Sequence, residues 1–177
     1  DLSKVKIMWL NYPHMPTGAK AGQHLFHDAI AFAKKHDILL VNDNPYSFIL
    51  NDNPESLLAY PGSKDVGVEL TSVSKTFNMA GWRVGAVLGN QENLQHILKV
   101  KSNMDSGMFL PIQLGASVAL KENEDWFKNL DFLYKNRRIK ITELAEKLGC
   151  QLEKRDLVGM FVWAKIPNRY KTSEEFS

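Results

Sequence analysis

The chain has 177 residues, 44% of them hydrophobic and 24% charged, which is the composition of a globular domain with a sizeable core. Its 22 basic and 20 acidic residues give a formal charge of only +2, so the sequence lacks the positive field of a dedicated nucleic-acid binder. The single cysteine cannot form an internal disulfide, and there is neither an apolar run long enough to span a membrane nor a signal-peptide pattern, so we expect a cytoplasmic protein with no membrane partner.

Strands and amphipathic helices alternate through residue 124. Short apolar runs predict the strands, and apolar residues three or four apart predict the helices. The predicted strands cover residues 5–10, 38–41, 66–73 and 82–88, and the predicted helices cover residues 23–35, 91–102 and 112–121. Trp9 and Phe32 lie within these runs and are expected in the core. A strand, a helix and a strand at this spacing are typical of an α/β unit with a mostly parallel sheet.

The last third of the sequence predicts one long helix and the beginning of a smaller unit. The helix covers residues 125–148, with Gly149 placed as its C-terminal stop. Residues 159–163 predict a further strand, in which Phe161 is expected to be buried. We expect three parts: a large domain over residues 1–124, an interdomain helix over 125–148, and the start of a small domain over 149–177.

The side chains with the clearest chemical meaning lie between residues 72 and 85. Lys75 directly follows a predicted strand, with Ser72 and Ser74 just before it and Arg83 eight residues after it. An amine in this setting can bond covalently to an aldehyde. Two hydroxyls and a guanidinium can hold a phosphate. The spacing therefore suits an anionic aldehyde cofactor, and a turn whose Lys75 and Arg83 merely face solvent is an equal alternative.

This stretch resembles the pyridoxal-phosphate lysine signature of the class I/II aminotransferases, Ser-x-Ser-Lys followed by Gly-x-Arg-x-Gly. The resemblance implies that Lys75 bonds covalently to pyridoxal 5'-phosphate. It also implies that Ser72 and Arg83 bind the cofactor phosphate, with Ser74 close by.

A second segment, Asp43-Asn44-Pro45-Tyr46, resembles the Asp-x-x-Tyr element of the same family. In that element the acid pairs with the pyridine nitrogen and the tyrosine hydroxyl contacts the phenolic oxygen of the cofactor. A carboxylate at Asp43 would keep the ring nitrogen protonated, which makes the ring an electron sink. The alternative for Asp43 is an ordinary turn aspartate before Asn-Pro.

A third segment, residues 11–18, resembles the family's Pro-x-Asn-Pro-Thr-Gly loop and departs from it at one position. Met15 stands where the family has the asparagine that donates to the phenolic oxygen, and a thioether cannot donate. The resemblance therefore implies a cofactor contact at Met15 without that hydrogen bond, which leaves Tyr46 as the remaining donor. By the same resemblance we expect the bond between Met15 and Pro16 to be cis.

The resemblance implies part of the fold type I large domain, a mostly parallel sheet with flanking helices, plus the start of the small C-terminal domain. The implied activity is transfer of an amino group between an amino acid and a 2-oxo acid, closest to the aspartate and LL-diaminopimelate aminotransferases. A homodimer is also implied, with residues 103–110 as a candidate interface segment. A lyase of the same fold and an aminotransferase-like sensing domain of a transcription regulator remain alternatives.

The chain begins with Asp1 and not with Met, so we expect it to belong to a longer polypeptide. The glycine-rich phosphate loop and the aromatic residue that stacks on the cofactor ring are then expected upstream of this sequence. The arginine that binds the substrate α-carboxylate is expected downstream.

Two further clusters predict no site of their own. His24 and His27 share a helix face without a third ligand nearby in the sequence, so no metal site is predicted. The basic residues between 135 and 140 are expected to form the solvated face of the long helix and not a nucleic-acid site.

Overall fold

The structure, a computed structural model, describes residues 1–22, 24–153 and 156–177. Its elements in chain order are β1 (Ile7–Leu10), α1 (Leu25–His36), β2 (Leu39–Asp43), α2 (Ser63–Val66), β3 (Gly67–Ser72), α3 (Val73–Thr76), β4 (Gly85–Gly89), α4 (Gln91–Met104), α5 (Leu110–Ala119), α6 (Glu124–Lys147), β5 (Gln151–Leu152), β6 (Ala164–Lys165) and α7 (Ser173–Phe176). Short 3₁₀ turns cover Leu57–Ala59 and Ala80–Trp82. The predicted helix start at Gln23 lies outside the described residues.

Four strands form the main sheet in the order β1, β2, β3, β4. The first three run parallel to one another, and β4 runs antiparallel to β3. The prediction of an α/β fold with a mostly parallel sheet is therefore confirmed. Because the carboxyl ends of parallel strands meet at one edge of a sheet, Asp43 at the end of β2 and Ser72 at the end of β3 lie along the same edge.

The main hydrophobic core lies between α1 and the sheet. One face of α1 is apolar at helical spacing, and this face is buried. The fully buried members of this core are Phe26, Ala29, Ile30, Ala33, Ile38, Leu40 and Leu57. Burying a side chain such as Phe26 or Leu40 stabilises the fold by about 1.5–3 kcal/mol, so this layer holds β2 rigidly in place.

The long helix α6 has a defined start and a defined end. The Asn123 side chain accepts hydrogen bonds from the N–H groups of Asp125 and Trp126 at its start. At its end Gly149 has a φ of +80° and its N–H bonds to the Glu146 carbonyl. The predicted helix over residues 125–148 and its glycine stop are confirmed. Neither α6 nor any other helix of the described ranges is long and apolar enough to cross a membrane.

The predicted strand over residues 159–163 is wrong. The strand lies slightly later, as β6, and pairs antiparallel with β5. Gly159 has a φ of +79°, which is outside the strand region. Its N–H donates to the Ile49 carbonyl at 2.8 Å and its carbonyl accepts from Arg138, so its backbone polar groups are bound outside any strand ladder.

Three aromatic residues that were expected in the core are partly exposed. Trp9 is 64% exposed, Phe161 42% and Phe32 37%. β1 pairs with β2 along one side only, and described residues do not cover the face that carries Trp9. Apolar character along an element indicates that a face is to be buried, but it does not say which part of a protein covers it.

Candidate functional site

Four of the predicted site residues lie together at the carboxyl edge of β2 and β3. Asp43 is the last residue of β2, and Tyr46 follows three residues later. Ser72 is the last residue of β3, and Lys75 lies in the short helix α3 that begins directly after it. The Lys75 amine nitrogen is 5.9 Å from the centre of the Tyr46 ring. The fold thus brings the lysine beside the phenol.

The two serine hydroxyls are paired at the start of α3. Ser72 Oγ lies 2.9 Å from Ser74 Oγ and 3.1 Å from the Val84 carbonyl oxygen, and it accepts from the Ser74 N–H. A hydroxyl has one proton, so when Ser72 donates to the carbonyl, Ser74 donates to Ser72. Both hydroxyls are therefore oriented within one turn of Lys75.

Arg83 lies in the turn that leads into β4. It has a left-handed backbone with a φ of 55°, and its side chain is exposed. Within the described ranges the guanidinium donates to the Ala80 carbonyl at 3.0 Å and not to either serine. The carbonyl of the next residue, Val84, bonds to Ser72, so the Arg83 backbone is fixed beside the serine pair. The backbone of Arg83 therefore lies beside the serine pair, while its guanidinium bonds to a carbonyl of the same turn.

Burial changes the titration of the acid and the phenol. Burial raises the pKa of the Asp43 carboxyl above its ordinary value. Burial also raises the pKa of the Tyr46 phenol, and the negative charge of Asp43 raises it further. Tyr46 therefore keeps its proton at neutral pH and can donate a hydrogen bond. The ionised form of Asp43 would be stabilised by a cationic partner.

Asn11 connects the predicted loop over residues 11–18 to the end of β2. Its Nδ2 donates to the Asp43 carbonyl at 2.9 Å, and its Oδ1 accepts from the Met15 N–H at 2.9 Å. The bond between Met15 and Pro16 is cis, as expected from the resemblance. The loop that carries Met15 is therefore held against the strand end that carries Asp43.

The Met15 thioether packs against Gly159. A Cβ atom placed on Gly159 would come to 3.0 Å from the Met15 sulfur and into still closer contact with its methyl group. The positive φ of Gly159 favours glycine at this position, whereas the flexible end of Met15 could move aside for a Cβ atom. The segment around Gly159, called the residue-159 segment below, therefore covers the end of the Met15 side chain.

Two hydrogen bonds from α6 support the elements that carry Lys75 and Tyr46. Trp126 Nε1 donates to the Thr76 carbonyl at 2.9 Å, next to Lys75 in α3. Asp131 Oδ1 accepts from the Leu50 N–H at 2.7 Å, in the loop that follows Tyr46. The sequence alone does not reveal these positions, because neither a tryptophan nor a single aspartate on a helix indicates which backbone group it will bind.

The prediction that the basic residues between 135 and 140 form a solvated face is wrong for Arg138. It donates to the Leu157 carbonyl at 2.8 Å and to the Gly159 carbonyl. Burial lowers the pKa of its guanidinium, and the Asp156 charge opposes that shift in part. The segment that Arg138 holds continues to Phe161, whose ring lies 5.7 Å from the Tyr46 ring. Arg138 is thus structural and half-buried.

The groups at this edge fit pyridoxal phosphate by their chemistry. Lys75 supplies an amine for the aldehyde, and the half-buried Asp43 supplies a carboxyl for the ring nitrogen. Tyr46 supplies a neutral donor for the phenolic oxygen, and Ser72 and Ser74 supply hydroxyls for the phosphate. Burial raises the pKa of the Asp43 carboxyl, and a protonated pyridine nitrogen beside it would favour the ionised carboxylate instead.

A mostly parallel α/β sheet with a lysine just past one strand end and a half-buried acid at the end of the neighbouring strand is the arrangement of the fold type I pyridoxal-phosphate enzymes. The family profile described as aminotransferase class I and II matches residues 1–177. The chain belongs to that family, and the resemblance found in its motifs is confirmed.

Named relatives and solved structures agree with this assignment. The chain is 44% identical over 175 residues to an LL-diaminopimelate aminotransferase of Gloeobacter violaceus, which covers 98% of this chain and 44% of the relative. The BacF structure from Bacillus subtilis has a TM-score of 0.91 and 43% identity, over 99% of this chain and 45% of that one. A probable N-succinyldiaminopimelate aminotransferase from Thermus thermophilus has a TM-score of 0.86 and 32% identity, over 96% of this chain and 46% of that one. This chain thus spans less than half the length of these proteins.

Proposed function

We propose that the full-length protein is a pyridoxal-phosphate-dependent aminotransferase that moves an amino group between an amino acid and a 2-oxo acid. The observation that carries this proposal is the Lys75 amine beside the Tyr46 ring, at the sheet edge where Asp43 ends the neighbouring strand. Membership of the aminotransferase family supports the reaction class.

Each site residue has a defined role in this proposal. When bound, pyridoxal phosphate supplies the electron sink that stabilises negative charge on the substrate α-carbon. Asp43 holds a proton on the ring nitrogen, and Tyr46 donates to the phenolic oxygen. Lys75 binds the aldehyde covalently and, once substrate has displaced it, its Nζ moves the α-proton as a general base. Ser72, Ser74 and Arg83 bind the phosphate.

The test is product analysis with the full-length protein and a panel of amino donors. LL-diaminopimelate belongs in the panel because relatives 39–44% identical carry that name. A transaminase forms more than one equivalent of its oxo-acid product per active site only when an acceptor such as 2-oxoglutarate is present. Release of pyruvate and ammonia without an acceptor would instead support a lyase. Cofactor binding without any turnover would support a sensing domain.

Replacing Met15 with asparagine is expected to lower the pH midpoint of the bound cofactor's visible absorbance. The new amide can donate to the phenolic oxygen and so stabilise the deprotonated form of the lysine-linked cofactor. Hydrogen bonds to charged groups contribute about 1.5–3 kcal/mol, which corresponds to a shift of about one to two pH units. The measurement is a spectrophotometric pH titration of the full-length holoenzyme.

Met15→Leu is the control for this titration, because leucine has a similar volume and donates no hydrogen bond. Its midpoint should match that of the unaltered protein. A Met15→Asn midpoint that is equal or higher would mean that residue 15 does not face the phenolic oxygen.

We also propose that the full-length protein is a homodimer that acts in the cytoplasm, with residues 103–110 at the dimer interface. Within this segment Met104 is 79% exposed and Phe109 is 70% exposed. Exposed apolar side chains of this size are typical of protein interfaces. Symmetric dimers are also the commonest closed oligomers.

Phe109→Glu is expected to weaken the dimer at least about tenfold, because a charge would be buried at the core of the interface. Sedimentation velocity over a concentration series measures this change. Glu122→Gln, an exposed substitution outside the segment, is the control. A fully active monomer would contradict the proposed assembly.

A further inference from the structure

Glu69 is a buried carboxylate that the proposed reaction does not use. It lies in the middle of β3 and is 4% exposed. Its Oε2 accepts from the Leu57 N–H at 2.8 Å and from Asn42 Nδ2 at 3.2 Å, and its Oε1 accepts from Asn44 Nδ2 at 3.3 Å. None of the ion pairs among the described residues involves it. A carboxylate this deeply buried needs hydrogen-bond donors around it, and these three contacts supply them.

The two asparagines that Glu69 binds stand on either side of Asp43. In the parallel register Asn42 is the partner of Glu69, and the pairing continues past Asp43 because the Asn44 N–H donates to the Leu70 carbonyl at 2.9 Å. Side chains alternate between the faces of a strand, so both asparagines lie on the Glu69 face and Asp43 lies on the other. Glu69 therefore holds the end of β2 immediately before and after Asp43.

The same contacts reach the loop that carries Met15. Asn42 Oδ1 accepts from the Tyr12 N–H at 3.2 Å, and Asn42 Nδ2 lies 3.4 Å from the Tyr12 carbonyl oxygen. Asn42 is fully buried, so these bonds have no competition from solvent. Glu69 thus sits behind two elements that line the site: the Asp43 strand end and the start of the residue 11–18 loop.

We propose that Glu69 is a positioning residue, whose carboxylate holds Asn42 and Asn44 and thereby fixes Asp43 against the pyridine nitrogen of the cofactor. This inference rests on the proposed function. A carboxylate can accept at both oxygens, which matches donors on both sides of Asp43. A glutamine presents an amide N–H₂ in place of one oxygen, so it cannot accept from both asparagines.

The test compares Glu69→Gln with the unaltered full-length protein in two cofactor readouts that do not depend on turnover. The dissociation constant of pyridoxal phosphate, followed by its absorbance, is expected to rise about 10- to 100-fold, the range seen when a partner that orients a ligand is lost. ¹⁵N NMR of cofactor labelled at the ring nitrogen is expected to show that nitrogen losing its proton at lower pH than in the unaltered protein. Glu55→Gln, an exposed glutamate near the same network, should change neither.

Asn44→Ala is the second variant, because it removes one of the two holds and leaves the Glu69 carboxylate in place. It should shift both readouts in the same direction by a smaller amount, and it decides the question if Glu69→Gln does not fold. Variants that lose thermal stability but keep the affinity within about twofold and the ring-nitrogen titration unchanged would overturn the inference. Failure of the proposed function is distinct, since the unaltered protein itself would then fail to bind the cofactor through Lys75.

Discussion

Lys75→Ala in the full-length protein is expected to abolish the covalent link to pyridoxal phosphate and to lower kcat at least about a thousandfold. The lysine has two tasks, covalent binding of the aldehyde and transfer of the α-proton, and general-base catalysis alone contributes about 10²- to 10⁴-fold. The Lys75 amine lies over the Tyr46 ring at the sheet edge, which matches both tasks. Borohydride reduction followed by peptide mapping locates the link, and steady-state kinetics measures the loss.

Lys99→Ala is the matched control, because Lys99 is an exposed lysine on α4. It should keep both the label on Lys75 and the turnover rate. Label found on any other lysine, or label that persists in Lys75→Ala, would contradict the assignment of Lys75.

The gathering of Asp43, Tyr46, Ser72 and Lys75 could be predicted from the sequence because each lies within a few residues of a strand end. Once β2 and β3 are parallel neighbours, their carboxyl ends must meet, and no further information is needed. The roles of these residues toward the cofactor, and the division of the chain at residues 124 and 148, stay predictions.

The supporting contacts could not be predicted, because they depend on which elements pack together. Glu69 is a charged residue within a strand, which from the sequence alone is compatible with a solvated face. Arg138 lies in a basic run whose neighbours are exposed, and only the packing of the residue-159 segment on α6 explains its burial. The predicted strand over residues 159–163 is wrong for the same reason, since the Gly159 N–H bonds to a loop carbonyl and its carbonyl bonds to a side chain of α6.

Asp43→Asn is expected to lower kcat about a hundredfold to a thousandfold while the cofactor remains covalently bound to Lys75. An amide carries no negative charge, so it cannot hold a proton on the ring nitrogen, and the ring then stabilises charge on the α-carbon less well. Losses of this size are typical when one preorganised electrostatic group is removed from an active site. Single-turnover kinetics of the full-length enzyme measures the effect on chemistry apart from binding.

The same substitution is expected to stabilise the cofactor-free protein at neutral pH. Burial raises the pKa of the Asp43 carboxyl in the folded protein above its ordinary value of 3.8. The protonated carboxyl is therefore more favoured in the folded protein than in the unfolded chain. The stability that this preference contributes is fully present below pH 3.8 and is lost as the pH rises through the raised folded pKa. Asparagine resembles the protonated acid at every pH, so the Tm of Asp43→Asn should match the unaltered protein near pH 4 and exceed it at about pH 7.

Thermal unfolding of the cofactor-free protein between about pH 4 and pH 8 tests this sign, with the exposed Asp52→Asn as the control. The control should not raise the Tm at neutral pH, because the Asp52 side chain is exposed. A second consequence follows at Tyr46, whose pKa is raised in part by the Asp43 charge, so that pKa should fall in Asp43→Asn. An Asp43→Asn variant that is less stable than the unaltered protein at neutral pH would mean that a cationic protein group already balances Asp43. Asp43 would then already be paired within the protein and would not need the pyridine nitrogen as its cationic partner.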